Sequence, residues 1–355
     1  MRPADNLGPL EGYHSPQVAV TVRLNTNESP YPPPAGWVAA LAAEVGRTDF
    51  HRYPDRRAGA LRAALGELHG VGPDRVFAAN GSNEVIQTLL LTYGGPGRAA
   101  AVFEPTYAMH SQIARVTSTA VALGSRQPDF ALDLTEVKRV LEAGGPALVF
   151  LCSPNNPTGR LDPPEVVAEV LELVEGSAGG GLVVVDEAYG QFSSWSALTM
   201  VERDRPLVVL RTFSKTWAMA GLRLGYLVGP PAVVEALEAR ALPYHLDVLK
   251  QAAGRLALSF RAEMEARVAA IVAERCRLVA ALEPLAVEVT PSEANFVLFR
   301  PLHRPAGAVW AALVERSVLV RDCSGWPAVE GCLRVTVGTP GEDDAFLAAL
   351  GEVLA

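Results

Sequence analysis

Apolar segments of two kinds alternate along the chain between about residues 60 and 212. One kind is apolar almost throughout and predicts strands buried on both faces, and the other repeats its apolar residues with helical periodicity. The strands are predicted at "AAAVFE", "TAVAL", "ALVFLC", "GLVVVDE" and "PLVVLRT", and the helices at "LRAALGELHG", "NEVIQTLLLTYG", "YAMHSQIARV", "DLTEVKRVLEA" and "PPEVVAEVLELVE". This order indicates an α/β fold with a mostly parallel central sheet flanked by helices.

The ends of the chain have a different character. Residues 1–35 are rich in Pro, Asn and Gly and predict an extended arm. After about Pro230 the sequence is mainly helical, and beyond Glu283 short strands alternate with helices, which is typical of a smaller α+β unit. We therefore predict an N-terminal arm (1–35), a large domain (36–235) and a small C-terminal domain (236–355).

Composition and charge narrow the range of functions. The 355 residues carry a net charge of −8, which argues against a nucleic-acid partner. No apolar run approaches the ~18 residues of a transmembrane helix, and the N-terminus lacks the apolar core of a signal peptide. The four cysteines form no CxxC pair and the histidines no ligand spacing, so no metal site is predicted. These features predict a cytoplasmic protein with reduced thiols that does not bind membranes.

A single lysine follows the apolar strand "PLVVL". Lys215 lies in "RTFSKTWAMAGLRLGY", just after the predicted strand end, where ligands of parallel sheets bind. Partial burial lowers the pKa of a lysine, and the neutral amine can form a Schiff base with a carbonyl. A solvated loop lysine is the alternative interpretation.

Three other motifs also follow strands or open helices. In "GLVVVDEAYG", Asp186 is an N-cap, part of a buried ion pair or the partner of a protonated pyridine nitrogen, and Tyr189 follows it. The turn "CSPNNPTG" offers an asparagine amide. "NGSNEVIQ" opens a helix whose free N–H groups suit a phosphate, although a plain cap by Ser82 or Asn83 fits equally well. The chain has neither GxxxxGK[ST] nor GxGxxG.

Together the motifs resemble those of fold-type I pyridoxal-phosphate aminotransferases, and most closely the histidinol-phosphate aminotransferases. The resemblance covers nearly the whole chain. The motifs in order are "LNTNESP", "RYPD", "GSNE", "EPTY", "SPNNPTG", "VVDEAY", "RTFSKTWAMAGLRLGY", "SEANF" and "CLRVTVGT". The resemblance implies a large domain that binds pyridoxal 5′-phosphate (PLP), a smaller C-terminal domain and a homodimer with shared active sites.

The resemblance also assigns roles to individual residues. It makes Lys215 the Schiff-base lysine and general base, Asp186 the partner of the pyridine nitrogen, Tyr189 and Asn156 contacts of the ring hydroxyl, and Tyr107 the aromatic stacked on the ring. The phosphate-binding residues are Ser82, Asn83, Thr212, Ser214 and Arg223, with Tyr53 contributed by the other subunit. The substrate-binding residues are Tyr13, Asn27, Arg321 and Arg334. Arg211 matches no such contact and is interpreted as a structural ion pair.

The implied reaction is the reversible transfer of an amino group between L-histidinol phosphate and 2-oxoglutarate in L-histidine biosynthesis. Threonine-phosphate decarboxylases of corrinoid synthesis share most of these motifs and remain an alternative, as does an aromatic amino-acid aminotransferase. A DNA-binding regulator built on this fold would carry a basic segment before it, and the segment here is acidic to neutral. "LPYHLD", with Tyr244 and His245, is either a helix-breaking loop or a wall of the imidazole pocket.

Overall fold

Two β-sheets organise the protein, for which a computed structural model describes residues 17–177 and 179–355. The larger sheet has seven strands in the order β2-β8-β7-β6-β5-β3-β4. Its strands are β2 (Val76–Ala79), β3 (Ala99–Glu104), β4 (Ala120–Ser125), β5 (Leu148–Cys152), β6 (Leu182–Asp186), β7 (Leu207–Thr212) and β8 (Gly225–Val228). The five neighbouring strands β4, β3, β5, β6 and β7 are parallel, which confirms the predicted fold class.

Helices cover both faces of this sheet, because β5, β6 and β7 are buried along their whole length and leave no polar face for water. The helices around it are α1 (Ala35–Val45), α2 (Gly59–His69), α3 (Ser82–Tyr93), α4 (Met109–Val116), α5 (Leu134–Gly144), α6 (Pro164–Glu175), α7 (Pro231–Arg240) and α8 (Val248–Leu258). Two separate apolar clusters, one on each face, fill the space between helices and sheet.

The smaller sheet has five strands in the order β1-β11-β12-β10-β9. Its elements are β1 (Val22–Leu24), β9 (Val287–Val289), β10 (Phe296–Pro301), β11 (Val318–Asp322) and β12 (Leu333–Thr336), with helices α9 (Arg261–Leu282), α10 (Ala306–Glu315) and α11 (Pro340–Leu354). A capping box between Thr339 and Glu342 begins α11. An apolar core of its own lies beneath this sheet.

Part of the predicted arm belongs to the smaller sheet. β1 pairs in parallel with β11, and Val22 is the pairing partner of Val318. A segment near the N-terminus therefore adds a strand to the sheet that the C-terminal residues form. The domain boundary at 235/236 stays a prediction. It falls inside α7, which packs against α3 of the larger unit, and α8 beyond it packs against α1 and α2.

Strands β2 and β8 lay outside the sequence prediction. Both have four residues, and they pair antiparallel at one edge of the larger sheet. Among the described residues, the helices include none that is both long and apolar enough to cross a membrane.

Candidate active site

A cavity of about 640 Å³ opens at the carboxyl ends of β5, β6 and β7, against the edge of the smaller sheet. It brings together every predicted site residue in the described ranges except Tyr53. These residues are Asn27, Ser82, Asn83, Tyr107, Asn156, Asp186, Tyr189, Thr212, Ser214, Lys215, Arg223, Arg321 and Arg334. Tyr13 lies outside the described residues. The strand-end rule therefore located the cavity, and both sheets contribute to its walls.

Lys215 lies just beyond β7, with its amine inside the cavity. Its Nζ donates to the carbonyl oxygen of Thr26 (3.2 Å) and lies 5.6 Å from the centre of the Tyr189 ring. Burial lowers the pKa of Lys215 to about 7, and the positive charges of Arg334 and Arg223 act in the same direction against a smaller opposing effect of Glu28. Near neutral pH a large fraction of this amine is therefore an uncharged nucleophile.

This pKa predicts how Lys215 should react in the cofactor-free protein. A short pulse of PLP followed by borohydride should label Lys215 with a midpoint near pH 7, because labelling needs the neutral amine. An ordinary lysine, with a pKa of about 10.4, would give labelling that still rises steeply above pH 9. Peptide mapping across a pH series distinguishes the two results, and a midpoint above 9 would contradict the lowered pKa.

Asp186 ends β6 and is almost fully buried. Its Oδ1 accepts the backbone N–H of Ala188 (3.1 Å), and its Oδ2 lies 3.0 Å from Nε2 of His110. His110 is fully buried and stacks on Phe150 of β5, with ring centres 4.7 Å apart. A buried histidine thus fixes the carboxylate in position at the cavity floor.

None of the sequence motifs assigns a role to His110. It lies three residues after Tyr107 on the buried face of α4, and its ring meets the Tyr107 ring edge-on. The signal available was a polar residue on the apolar face of a helix that begins beside a strand end. That pattern alone does not identify the carboxylate it contacts.

Polar groups from three segments meet above Asp186. Tyr189 accepts a hydrogen bond from Nδ2 of Asn27 (3.0 Å), and burial raises the pKa of the Tyr189 phenol to about 12, so it stays protonated. Arg334 donates to Oδ1 of Asn156. The Thr336 hydroxyl fixes Asn27, because it accepts the Asn27 backbone N–H and donates to the Asn27 side-chain oxygen Oδ1. The result is a preformed set of donors around the space next to Lys215.

The N-terminus of α3 faces the cavity without a side-chain cap. Gly81 is the N-cap residue, and no side chain accepts from the first turn, so the interpretation of Ser82 or Asn83 as a plain cap is wrong. A Cβ on Gly81, whose φ is +83°, would lie 2.9 Å from the Arg223 guanidinium. The free N–H groups and this guanidinium together form a site for an anion.

Hydroxyl groups complete this anion site. Arg223 donates to Oγ of Ser214 (3.2 Å), and Oγ1 of Thr212 lies 3.0 Å from the same Ser214 oxygen. Tyr107 donates to Oδ1 of Asn83 (3.1 Å) at the other side. Small polar groups and one cation therefore surround a space beside the helix N-terminus, which suits a phosphate dianion.

Two buried arginines form the opposite wall. Arg321 on β11 and Arg334 on β12 are directly paired in the antiparallel ladder, so their side chains lie on the same face of the sheet. Arg334 also donates to the carbonyl oxygen of Asn25 (3.1 Å). Two neighbouring cations in the cavity wall attract an anion, which suits a substrate phosphate or carboxylate.

Besides Tyr53, three residues considered from the sequence lie outside the cavity. Arg211 pairs with Glu187 (2.6 Å), as its interpretation as a structural ion pair predicted. His245 lies in the loop between α7 and α8, and its ring contacts the carbonyl oxygen of Ala78 in β2. The neighbouring Tyr244 stacks on Tyr53, with ring centres 4.5 Å apart. In this chain neither Tyr244 nor His245 lines the cavity.

The donor set fits PLP. The uncapped α3 terminus with Arg223 suits its phosphate, the carboxylate of Asp186 a protonated pyridine nitrogen, and the amine of Lys215 its aldehyde. A Cβ on Gly225 would lie 2.4 Å from the Ser82 nitrogen, so glycine at this position lets β8 lie against the N-terminus of α3 beside the anion site.

The family model for Aminotransferase class I and II matches residues 19–350. Fold and site thus define a PLP-dependent aminotransferase of that class. The histidinol-phosphate aminotransferase of Frankia casuarinae is 49% identical and covers 99% of this chain and 89% of that protein. The enzyme of the same name from Mycolicibacterium smegmatis is 45% identical, with 98% and 92% covered. The chain belongs to the histidinol-phosphate aminotransferase family.

Solved structures agree on the fold. The histidinol-phosphate aminotransferase of Sinorhizobium meliloti, solved in complex with pyridoxal-5′-phosphate, superposes with a TM-score of 0.85 at 22% identity, covering 94% of this chain and 91% of that one. L-threonine-O-3-phosphate decarboxylase of Porphyromonas gingivalis gives 0.81 at 22% identity, covering 94% and 99%. Since both reactions occur on this fold, the fold alone does not choose between them.

Proposed function

We propose that this protein transfers the amino group of L-histidinol phosphate to 2-oxoglutarate, forming imidazole acetol phosphate and L-glutamate in a reversible step of L-histidine biosynthesis. The single structural observation that supports this substrate is the pair of buried arginines, Arg321 and Arg334, in the wall of the cofactor cavity. The amino donor carries a phosphate ester where an amino acid carries its carboxylate. A phosphate ester carries two negative charges and therefore gains more from a pair of cations than a carboxylate, which carries one.

The residues of the chain divide the work of the reaction. When bound, PLP supplies an aldehyde that condenses with amines and a pyridine ring that accepts electrons from the adjacent carbon. Lys215 would hold that aldehyde, and its amine, whose pKa of about 7 is near neutral pH, would move the proton of the substrate Cα. Asp186 would keep the pyridine nitrogen protonated, and Tyr189 and Asn156 would bind the ring hydroxyl.

The anion-binding residues position the two ends of the reacting pair. Arg223, with Ser82, Asn83, Thr212 and Ser214, fixes the cofactor phosphate beside α3. Arg321, Arg334 and Asn27 bind the phosphate of the substrate, with Tyr13 as a further predicted contact. Fixing both phosphates holds the substrate Cα–H bond next to Lys215 and raises the effective concentration of the base.

Threonine-phosphate decarboxylase is the alternative from the same fold. The curated relatives at 45–49% identity bear the aminotransferase name, whereas the similarity to the decarboxylase structure is at 22% identity. An aromatic amino-acid aminotransferase needs no substrate-phosphate site, whereas two paired arginines, Arg321 and Arg334, line this cavity.

The test is a titration of the holoenzyme followed by its visible absorption. Micromolar L-histidinol phosphate should remove the resting absorption band and yield keto product with 2-oxoglutarate, whereas phenylalanine and tyrosine should act only at far higher concentration. L-threonine phosphate should release no carbon dioxide. Turnover of threonine phosphate with carbon dioxide release, or equal response to free aromatic amino acids, would reject the proposal.

We also propose a homodimer in which Tyr53 completes the partner's phosphate site. Tyr53 is 82% exposed and its ring stacks on Tyr244 away from the cavity of its own chain. Phe50 and Leu242, close to these two tyrosines in sequence, are also exposed. Large exposed apolar side chains in such number support an interface. We place the dimer in the cytoplasm, which cell fractionation can test.

Shared sites make mixed dimers informative. Alone, Lys215→Ala chains should be almost inactive, and Tyr53→Ala chains should be weakly active at low PLP concentration. After reassortment, one site of each mixed dimer combines Lys215 of one chain with Tyr53 of the other, so about a quarter of wild-type activity should return. Mixing Lys215→Ala with Asp186→Asn is the control, because both residues belong to the same chain's cavity and every mixed site lacks one of them. Equal recovery in both mixtures would reject sharing of Tyr53.

A further inference from the structure

The two substrate-facing arginines each lie over an aromatic ring. The guanidinium carbon of Arg321 is 5.1 Å from the centre of the Trp326 ring, and that of Arg334 is 5.1 Å from the centre of the Phe296 ring. Both distances are within the range of cation–π attraction. The pairing of Arg321 with Arg334 across β11 and β12 places the two cations side by side.

The two rings are held differently. Phe296 begins β10, is fully buried and meets the Tyr189 ring edge-on, so the position of Arg334 is fixed by the core of the smaller sheet. Trp326 lies in the connection between β11 and β12 and itself lines the cavity. Because that connection lies outside the sheet ladder, Trp326 can change without disturbing Arg334.

Local contacts hold the Trp326 indole in place. Its backbone N–H donates to the carbonyl oxygen of Cys323 (2.9 Å), and its carbonyl oxygen accepts from Val329 (3.3 Å). The ring packs on an apolar cluster made by Phe130, Leu298, Cys323, Val329 and Cys332. The turn therefore presents a rigid indole face toward the cavity wall, where it meets the Arg321 guanidinium.

We propose that Trp326 is a positioning residue that determines specificity for the phosphate ester. Its indole face holds the Arg321 guanidinium beside Arg334 against the repulsion between the two cations, so that a paired site for a dianion exists before substrate binds. An amino-acid carboxylate needs Arg334 alone, and its binding should depend little on Trp326. This inference rests on the proposed function and names the residue that confers its substrate preference.

The test compares variants that keep or remove the aromatic face. Trp326→Leu should raise KM for L-histidinol phosphate about 10-fold with little change in kcat, because it removes the cation–π contact that positions Arg321. Trp326→Phe keeps a ring and should stay within about 3-fold of wild type. The half-reaction with L-glutamate, followed by absorption, should change less than about 2-fold in both variants. An equal loss with both substrates would overturn the assignment.

A double-mutant cycle separates positioning from direct contact with the substrate. Arg321→Gln should raise KM for histidinol phosphate, and adding Trp326→Leu to it should cause almost no further loss if Trp326 acts through Arg321. If the indole instead packs on the imidazole ring, the second change would still cost about 10-fold and the inference would be wrong.

Two further measurements keep the result interpretable. Inorganic phosphate should compete with glutamate in the wild-type half-reaction, and its inhibition constant should rise in Trp326→Leu. Trp326→Met refills the space without a ring and replaces the leucine variant if that variant is unstable. An unchanged inhibition constant for phosphate in either folded variant would overturn the proposal. A wild-type enzyme that does not turn over histidinol phosphate at all would reject the proposed function instead.

Discussion

Replacing Lys215 with alanine is expected to lower turnover of histidinol phosphate by about 10⁴-fold or more, the largest single effect in the molecule. In the proposed mechanism the amine of Lys215 has two tasks, the covalent link to the cofactor and the transfer of the Cα proton, and no other lysine can replace it. The chain contains only Lys138, Lys215 and Lys250. The other two lie in ion pairs on helix surfaces, Lys138 with Glu169 and Lys250 with Asp247.

The scarcity of lysine makes this prediction unusually direct to test. Borohydride reduction of the wild-type holoenzyme should place one PLP label on the peptide that contains Lys215 and none on the peptides of Lys138 and Lys250. Lys138→Ala serves as the matched control and should keep wild-type activity, since the Lys138–Glu169 pair is exposed and such pairs contribute little. A label on Lys138 or Lys250, or more than about 1% of wild-type turnover in Lys215→Ala, would contradict the assignment.

The parallel part of the large sheet could be predicted because its strands depend on local pattern. β5, β6 and β7 are continuous apolar runs, and amphipathic helices separate them, so periodicity alone identifies them. β2 and β8 are shorter and come next to motif residues, where the apolar signal is brief. β1 has three residues, and the strand that stabilises it, β11, lies almost 300 positions later in the chain. No window of sequence contains such a pairing.

The candidate site likewise contains residues that the sequence could predict and others that it could not. Residues carried by motifs, such as Lys215 and Asp186, could be assigned by resemblance before their neighbours were known. The Thr26 carbonyl that receives the Lys215 amine is a backbone group, and backbone acceptors leave no trace in residue types. His110 and Trp326 depend on tertiary packing, since each acts on another side chain that is distant in sequence or lies across a turn.

The electrostatic design of the cavity follows from where its charges are buried. Arg334 and Arg223 face the space around Lys215 and help to depress the pKa of its amine. The same two cations bind the anionic ends of substrate and cofactor in the proposed mechanism. The groups that confer affinity for phosphates therefore also tune the base, and a change in either arginine should alter the pH dependence of the reaction as well as binding.

Asp186 should be the second residue whose loss nearly abolishes activity. Asp186→Asn keeps the shape of the side chain and an oxygen that can accept the Ala188 N–H, but it removes the buried negative charge that the proposed mechanism places against the protonated pyridine nitrogen. Removing one preorganised electrostatic partner should lower kcat by about 10²–10³-fold. Because Arg223 and the α3 terminus are unchanged, PLP should still bind, and its content can be measured after denaturation.

The neighbouring carboxylate provides the matched control for this change. Glu187 is equally buried, but it pairs with Arg211 and accepts from the Ala197 N–H (2.6 Å), outside the cavity lining. Glu187→Gln should lower the melting temperature, because it weakens a buried ion pair, while kcat falls less than about 10-fold. If Asp186→Asn kept its PLP and more than about a tenth of wild-type kcat, or if Glu187→Gln lost activity to the same extent, the carboxylate at 186 would not be the group that activates the cofactor.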